Sequence, residues 1–474
     1  MAELASSHTP LARSGFWRNV SSSPHYVLAA AAALILATEW TRGSATGETG
    51  VVWPLIEAGL AAVSLTVAYR QRGRLSLFPV IGLGLVFQLC WITIHLLLGV
   101  HGDPDPVVLY PHEGHALLNG HYPNSPYPPG AVVLFALETW IGGGAARTSN
   151  AFLMIPFQLV CVGSIWMLRT RWSAWLATVV ALWPINAFFW EFRFDLVPTA
   201  ALVVGLLLAY REHWLGAGFV LGLGAVVKWT PALSALALLV WLVWRGRKRL
   251  AGAFTLGFAI PALIANVPLL IADRSALFWT YQAQDKRKIS GESLPYLVLR
   301  TFHRATPGHN FWGDAHVSAS MNHAIPKIQE LVVLLAIVLI VRARNRSSAI
   351  ALAGMVPIVF FLSNRIFSPQ YFVPILGAWA VGISLIVRNR SECLTLTALC
   401  LAATIGNAVL YPSLAEPVKQ IPYWTLALAG AFVPAFLATI WLIIRALKCQ
   451  PETARGDGIG VRSASDVSPA RIRA

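Results

Sequence analysis

Residues 101–130 read HGDPDPVVLYPHEGHALLNGHYPNSPYPPG and follow directly on a long apolar run. The stretch gathers Asp103, Asp105, four histidines, three tyrosines and a series of prolines. It is too polar to be buried in lipid, and its Tyr-Pro-Pro-Gly end leads back into apolar sequence, so it is not a free tail. This pattern predicts the wall of an active site at a membrane surface.

The composition around it fixes the class. Of 474 residues, 56% are hydrophobic and only 12% charged, with 19 Trp and a mean hydropathy of +0.62. A soluble globule carries about 25% charged residues, so the chain reads as an all-α polytopic membrane protein. The first 24 residues are polar, with Arg13 and Arg18. The apolar run behind them lacks a small-residue cleavage site, which predicts a first membrane span and not a removed signal peptide. Cys90, Cys161, Cys393, Cys400 and Cys449 show no close-set pair and no His partner at metal spacing, so neither a disulfide nor a zinc site is expected. The net charge of +15 is spread as short basic clusters between apolar runs. That is the pattern of membrane orientation and not of a nucleic-acid surface; no nucleic-acid partner is expected, and the lipid bilayer is.

A helix needs roughly 20 apolar residues to cross a bilayer. Fourteen stretches qualify or nearly do: 26–40, 51–69, 75–99, 149–168, 172–190, 196–210, 214–227, 230–244, 250–272, 326–342, 348–364, 368–387, 392–411 and 423–445. Several are short, which predicts helices that end inside the membrane near its outer boundary. The clusters Arg70/Arg72/Arg74, Arg169/Arg171, Arg245/Arg247/Lys248/Arg249, Arg342/Arg344/Arg346 and Arg388/Arg390 place both termini and the larger share of Lys and Arg in the cytoplasm. Residues 131–143 are apolar enough for a fifteenth span, but a crossing there would invert every later cluster, so they are expected to lie in the interface or dip into it. The resulting organisation is a cytoplasmic segment 1–25, a membrane domain 26–448 with outer loops 100–148 and 273–325, and a disordered cytoplasmic tail 449–474. The second outer loop carries Arg274, Lys286, Arg287, Lys288, Arg300 and Arg304, which calls for an anionic partner.

Charges at membrane depth cost roughly 2.5–3.5 kcal/mol each on insertion scales, so those present usually face a cavity and a partner. The unexpected ones gather on the predicted outer side: Asp103, Asp105, Glu191, Arg193, Asp195, Lys228, Arg287, Glu292 and Arg365. Lys228, Arg287 and Arg365 supply three cations able to hold a phosphate, and the carboxylates supply a base for an attacking hydroxyl. Each has a plainer reading. Asp103 and Asp105 precede prolines and are also ordinary in an extended loop; Lys228 can reach the headgroups from a helix end; Arg193 and Asp195 can pair locally. His112, Glu113 and His115 have a spacing that suits a metal, yet a third ligand is missing, and Tyr122, Tyr127 and Trp140 suit an interfacial belt as well as a sugar.

At this point the motifs carry a resemblance. Asp105 followed by Tyr110, then Ala116-Leu117-Leu118-Asn119-Gly120 and Tyr127-Pro128-Pro129-Gly130, resembles the first outer loop of GT-C glycosyltransferases that use polyprenyl-phosphate sugars. The chain is similar in particular to actinobacterial polyprenyl-phosphate-mannose-dependent mannosyltransferases and their arabinofuranosyltransferase relatives. Phe194-Asp195, Lys228-Trp229-Thr230-Pro231, Arg287 with Gly291-Glu292-Ser293-Leu294, and Arg365 with Ser368-Pro369-Gln370-Tyr371 continue the match over roughly residues 75–390. It departs from that pattern in two places: Asp-Pro-Asp-Pro makes Asp103 a rival to Asp105, and spans 26–40 and 51–69 precede the usual first one.

The resemblance implies a GT-C helical bundle of about 14 spans and an inverting transfer of one sugar, mannose favoured. The donor would be a polyprenyl phosphate and the acceptor a glycolipid or cell-envelope glycan, at the outer face of the plasma membrane. Asp105, or Asp103, would be the base; Lys228, Arg287 and Arg365 would hold the donor phosphate. Tyr110, His112, Tyr127, Arg193, Asp195, Glu292, Gln370 and Tyr371 would line the substrate site. A single donor phosphate requires no metal cofactor. The competing readings are a transporter or flippase of lipid-linked sugars, and a lipid-linked polymerase or ligase; the first would place its charges near the midplane in repeats, which the sequence does not show.

Overall fold

A computed structural model describes residues 23–44, 52–100, 105–143, 145–306, 315–410 and 421–449. Asp103 and the tail beyond Cys449 lie outside the described residues. The described residues are helical almost throughout. In order come α1 (Pro24–Ser44), α2 (Val52–Arg70), α3 (Leu77–Leu97), α4 (Leu109–Leu118), α5 (Pro129–Gly142), α6 (Ala146–Trp166), α7 (Ser173–Leu182), α8 (Ala187–Phe192), α9 (Leu196–Tyr210) and α10 (Trp214–Val227). They are followed by α11 (Thr230–Trp244), α12 (Lys248–Ala272), α13 (Arg274–Asp285), α14 (Leu294–Thr301), α15 (Ala319–Leu339), α16 (Arg346–Ser363), α17 (Phe372–Ile386), α18 (Arg390–Ala408) and α19 (Ile421–Lys448). A two-residue antiparallel ribbon, Ala305–Thr306 against His316–Val317, interrupts the all-helical pattern between α14 and α15.

Among the described residues eight segments are long and apolar enough to cross a membrane: α3, α6, α12, α15, α16, α17 counted with the 3-10 turn Pro369–Tyr371 that leads into it, α18 and α19. The protein is therefore a multi-pass membrane protein. The shorter apolar helices α9, α10 and α11 have 15, 14 and 15 residues. At 1.5 Å per residue they reach ~21–23 Å, short of the ~30 Å hydrocarbon layer.

Two stretches differ from the sequence reading. The run 172–190 is not one helix: α7 stops at Leu182, a single 3-10 turn spans Pro184–Asn186, and α8 restarts at Ala187. Pro184 has no N–H to continue the ladder, and it sits at the start of the new turn where none is needed. The helix expected from residue 326 begins seven residues earlier, at Ala319. There the Ser318 hydroxyl accepts from the Met321 amide and satisfies one of the unpaired donors of the first turn. Asp273, Ser293 and Asn345 cap α13, α14 and α16 in the same way.

The bundle interior is brought together by glycines. A Cβ on Gly218 would lie 2.0 Å from the Phe254 carbonyl oxygen, on Gly222 2.6 Å from that of Phe258, and on Gly257 2.1 Å from that of Leu215. The α10 and α12 backbones thus touch, the close approach that small residues permit between membrane helices. Gly218→Val should lower stability by about 3 kcal/mol, at the upper end of overpacking costs. The check is the unfolding midpoint in detergent beside Gly252→Val, whose Cβ would meet nothing within 4 Å; equal midpoints for the two variants would refute this packing.

Candidate active site

The loop region 105–143 is seated on the bundle by the same means. A Cβ on Gly114 of α4 would lie 2.4 Å from the Phe135 carbonyl oxygen of α5, and one on Gly130 would lie 2.6 Å from that of Val226. The glycine of the Tyr-Pro-Pro-Gly segment is therefore the point where the loop rests on the end of α10, two residues before Lys228. Below the loop, Tyr110 stacks on Phe135 at 4.2 Å, and Phe194 meets Tyr127 and Phe135 edge-on at 5.1 and 5.2 Å. Such pairs add to the burial of their ring areas. From above, α13 ties the loop down: Thr280 Oγ1 donates to the Ser125 carbonyl at 2.8 Å and Gln284 Nε2 to that of Pro126 at 2.9 Å.

Between these elements lies a polar cavity of 190 Å³, whose lining includes Asp105, Tyr127, Arg193, Lys228, Arg287 and Tyr371. Asp105 is its one carboxylate among the described lining residues. It pairs with Arg193, yet its side chain keeps 25% of its surface exposed, so it is oriented without being sealed. Lys228, the residue after α10, pairs with the buried Asp195 Oδ1 and lies 4.6 Å from the Tyr371 ring centre and 5.3 Å from that of Phe194. These rings stabilise the cation. Arg287 is exposed at the rim and forms no ion pair among the described residues. Two compensated pairs plus one uncompensated arginine leave the cavity electropositive, suited to an anion beside a carboxylate base.

A second cavity of 490 Å³ adjoins the first and shares Pro126, Trp229, Gln284, Phe360, Asn364 and Ile366 with it. Most of its surface is apolar, with Leu233 of α11 and Val333, Leu334 and Ile337 of α15 among its walls, beside the charged Asp285, Glu330 and Arg365. A polar chamber thus opens into an apolar groove between membrane helices.

The residues singled out from sequence distribute unevenly over this geometry. Asp105, Tyr127, Arg193, Lys228, Arg287, Gln370 and Tyr371 line the polar cavity. Tyr110 and Asp195 are buried behind its wall. Arg365 lines the groove, and its Nη2 donates to the carbonyls of Gln284 and Asp285 at 3.2 and 2.7 Å. With Ser290 N on its own carbonyl at 2.8 Å, Arg365 fixes the segment that carries Arg287. Glu292 is buried and lines neither cavity; His112 is exposed on α4 and also lines neither. Among the described residues no group of three or more His, Cys, Asp and Glu side chains could hold a metal ion; within the spaced trio, Glu113 is buried while His112 and His115 face outward.

Burial shifts the titrations around the loop. It pushes the Tyr110 and Tyr127 hydroxyls up, so both stay protonated at neutral pH and neither acts as a base. Glu113 is raised to about 7, chiefly by burial, with the nearby Asp105 charge adding and the Ser125 hydroxyl opposing. The Ser125 Oγ donates to Glu113 at 2.6 Å. An unfolded chain releases this proton near the ordinary carboxyl value, so from about pH 4.5 to 7 the folded state holds the extra proton and stability falls as pH rises, levelling above 7. Glu113→Gln is neutral throughout and should remove that decline. Melting curves of both proteins at pH 5, 6, 7 and 8 would show it, and parallel pH trends would contradict it.

Gln284, Asn364, Phe360 and Phe361 reach the cavity without having been anticipated; they are uncharged, and only their folded position distinguishes them. The buried cluster of Glu39, His95 and Glu191 was foreshadowed only by Glu191, although the cost of ionisable groups in apolar runs, applied inside the spans, points to Glu39 and His95 as well.

Comparison with curated proteins and with solved structures found no match. The profile of Glycosyltransferase family 87 matches residues 126–369, just over half of the chain. The matched region holds Tyr127, Arg193, Asp195, Lys228, Arg287, Glu292 and Arg365, while Asp105 and Tyr110 precede it and Gln370 and Tyr371 follow directly on its end. The chain belongs to glycosyltransferase family 87.

Proposed function

We propose that this glycosyltransferase moves a single sugar, mannose by preference, from a polyprenyl-phosphate donor to a glycolipid or envelope-glycan acceptor at the outer face of the plasma membrane. The observation that carries the reading is the junction of the two cavities. An amphiphile with an anionic head and a long isoprenoid tail fits a chamber lined by Lys228 and Arg287 that continues into a groove lined by Leu233, Val333, Leu334 and Ile337. The polar chamber, at 190 Å³, is smaller than the roughly 300–1,000 Å³ of sites for drug-sized ligands, which favours one sugar ring with its phosphate.

In the proposed mechanism the acceptor hydroxyl attacks the anomeric carbon while Asp105 takes its proton. The new carbon–oxygen bond forms on the face opposite the breaking one, so the configuration inverts. Polyprenyl phosphate leaves with the bonding electrons, its charge held by Lys228 and Arg287. Arg193 orients the base, and the protonated Tyr127 donates to the sugar. The basic character of the second outer loop, with Lys286, Arg287 and Lys288 exposed in sequence, suits an anionic donor or acceptor head.

The test is transfer by purified protein in detergent, using synthetic polyprenyl-phosphate-mannose and a panel of glycolipid acceptors. A glycosylated product together with free polyprenyl phosphate is the expected result. Movement of lipid-linked sugar across liposomes without any product would overturn it in favour of transport.

A further inference from the structure

Four helices meet at one buried node. The His95 imidazole of α3 is fully buried between two carboxylates, with Nε2 2.6 Å from Glu39 Oε1 of α1 and Nδ1 2.6 Å from Glu191 Oε2 of α8. On the other side of Glu191, Arg147 Nη2 of α6 approaches Oε1 at 2.8 Å, and Asn150 Nδ2 donates to the Glu191 carbonyl at 2.7 Å. The Arg147 guanidinium also lies 4.5 Å from the centre of the Phe192 ring. Glu191 is thereby held by side chain and backbone at once, two residues before Arg193, the partner of Asp105.

We infer that His95 is a positioning residue: bridged to Glu39, it fixes Glu191 and with it the short α8 segment that aims Arg193 at Asp105. The inference rests on the reading of Asp105 as the base of the transfer site. The chemistry of the bridge supports it. A neutral imidazole has one N–H and can donate to only one of its two neighbours, so the node holds a second proton, on the ring or on one carboxyl group. With the ring doubly protonated, Glu39, Glu191, His95 and Arg147 carry two charges of each sign. Any shift of α8 would leave one of them unpaired in a low-dielectric interior, where such networks are rigid when complete. The local fold needs such a brace, because Pro184 breaks the preceding helix and α8 has only six residues and too few backbone bonds to hold its own direction. Glu39 and His95 lie outside the family-matched residues 126–369, while Arg147, Asn150, Glu191 and Arg193 lie within them. The N-terminal helix α1 thus gains a task, since it supplies one arm of the brace.

The test uses the full chain in detergent with His95→Phe, Glu39→Leu and Glu39→Gln, read by amide hydrogen exchange over residues 187–196 and by sugar transfer. His95→Phe and Glu39→Leu should raise exchange there at least tenfold and slow transfer at least tenfold. Glu39→Gln, whose amide can still donate to Nε2 while Nδ1–H donates to Glu191, should restore both to within about twofold of wild type. In an Arg193→Ala background, His95→Phe should slow transfer less than twofold further, because its effect passes through Arg193. Unchanged exchange in His95→Phe, an undiminished loss in the Arg193→Ala background, or a Glu39→Gln variant as damaged as Glu39→Leu would overturn the inference. If the wild type itself transfers no sugar, the proposed function fails instead, and the exchange comparison alone decides the role of His95.

Discussion

Asp105→Asn is expected to lower sugar transfer about 10³-fold while leaving donor affinity within about twofold of wild type. General-base catalysis contributes 10²–10⁴-fold, and an amide in the same place accepts no proton. The near-isosteric change keeps an oxygen for Arg193, so the cavity should retain its shape; this is why binding and turnover should separate. The measurement is single-turnover transfer beside donor binding by the same preparation. Rates near wild type in Asp105→Asn, with a loss in Asp103→Asn, would move the base to the neighbouring aspartate, which lies outside the described residues. A parallel loss of affinity and rate would instead make Asp105 a donor ligand.

The second large effect is expected at Lys228, where two consequences of one substitution can be told apart. Lys228→Met removes a cation from the polar cavity and leaves the buried Asp195 without its ion-pair partner. Removing one member of a buried pair costs about 3–5 kcal/mol of stability. Losing one stabiliser of developing charge costs a further 10²–10³-fold in rate. Adding Asp195→Asn should recover most of the stability, because the uncompensated charge is gone, and none of the rate, because the phosphate still lacks its cation. Unfolding midpoints and transfer rates of the two single variants and the double variant decide this. Recovery of rate together with stability would reduce Lys228 to a structural role.

The parts of this molecule that sequence displayed are those governed by bilayer thickness and by the cost of charge. Apolar runs such as 75–99 and 250–272 became α3 and α12 with ends shifted by a few residues. The break at Pro184 hid inside an apolar run because hydropathy alone does not separate one helix from two. The start of α15 was missed because its first turn is polar, and only the Ser318 cap marks it. In the candidate site, Asp105, Arg193, Lys228 and Arg287 stood out because charges near membrane helices demand a partner. A charge carries no direction, however. Arg365 was grouped with the phosphate cations, yet it turns toward the carbonyls of Gln284 and Asp285. His112, taken for a substrate contact, faces outward from α4. The neutral lining residues Gln284 and Asn364 have no sequence signature, since tertiary packing alone brings α13 and the end of α16 to the cavity.

The Asp195–Lys228 pair also bears on how the chain enters its bilayer. Asp195 immediately precedes α9 and Lys228 immediately follows α10, with only residues 211–213 between the two helices. Either helix threaded alone would carry a lone charge to membrane depth, at roughly 2.5–3.5 kcal/mol on insertion scales. Threaded together as a hairpin they bring a neutral couple. The pair that sits at the candidate site is thus also a stitch between two helices too short to anchor themselves, and it favours their joint arrival in the membrane during biosynthesis over stepwise integration.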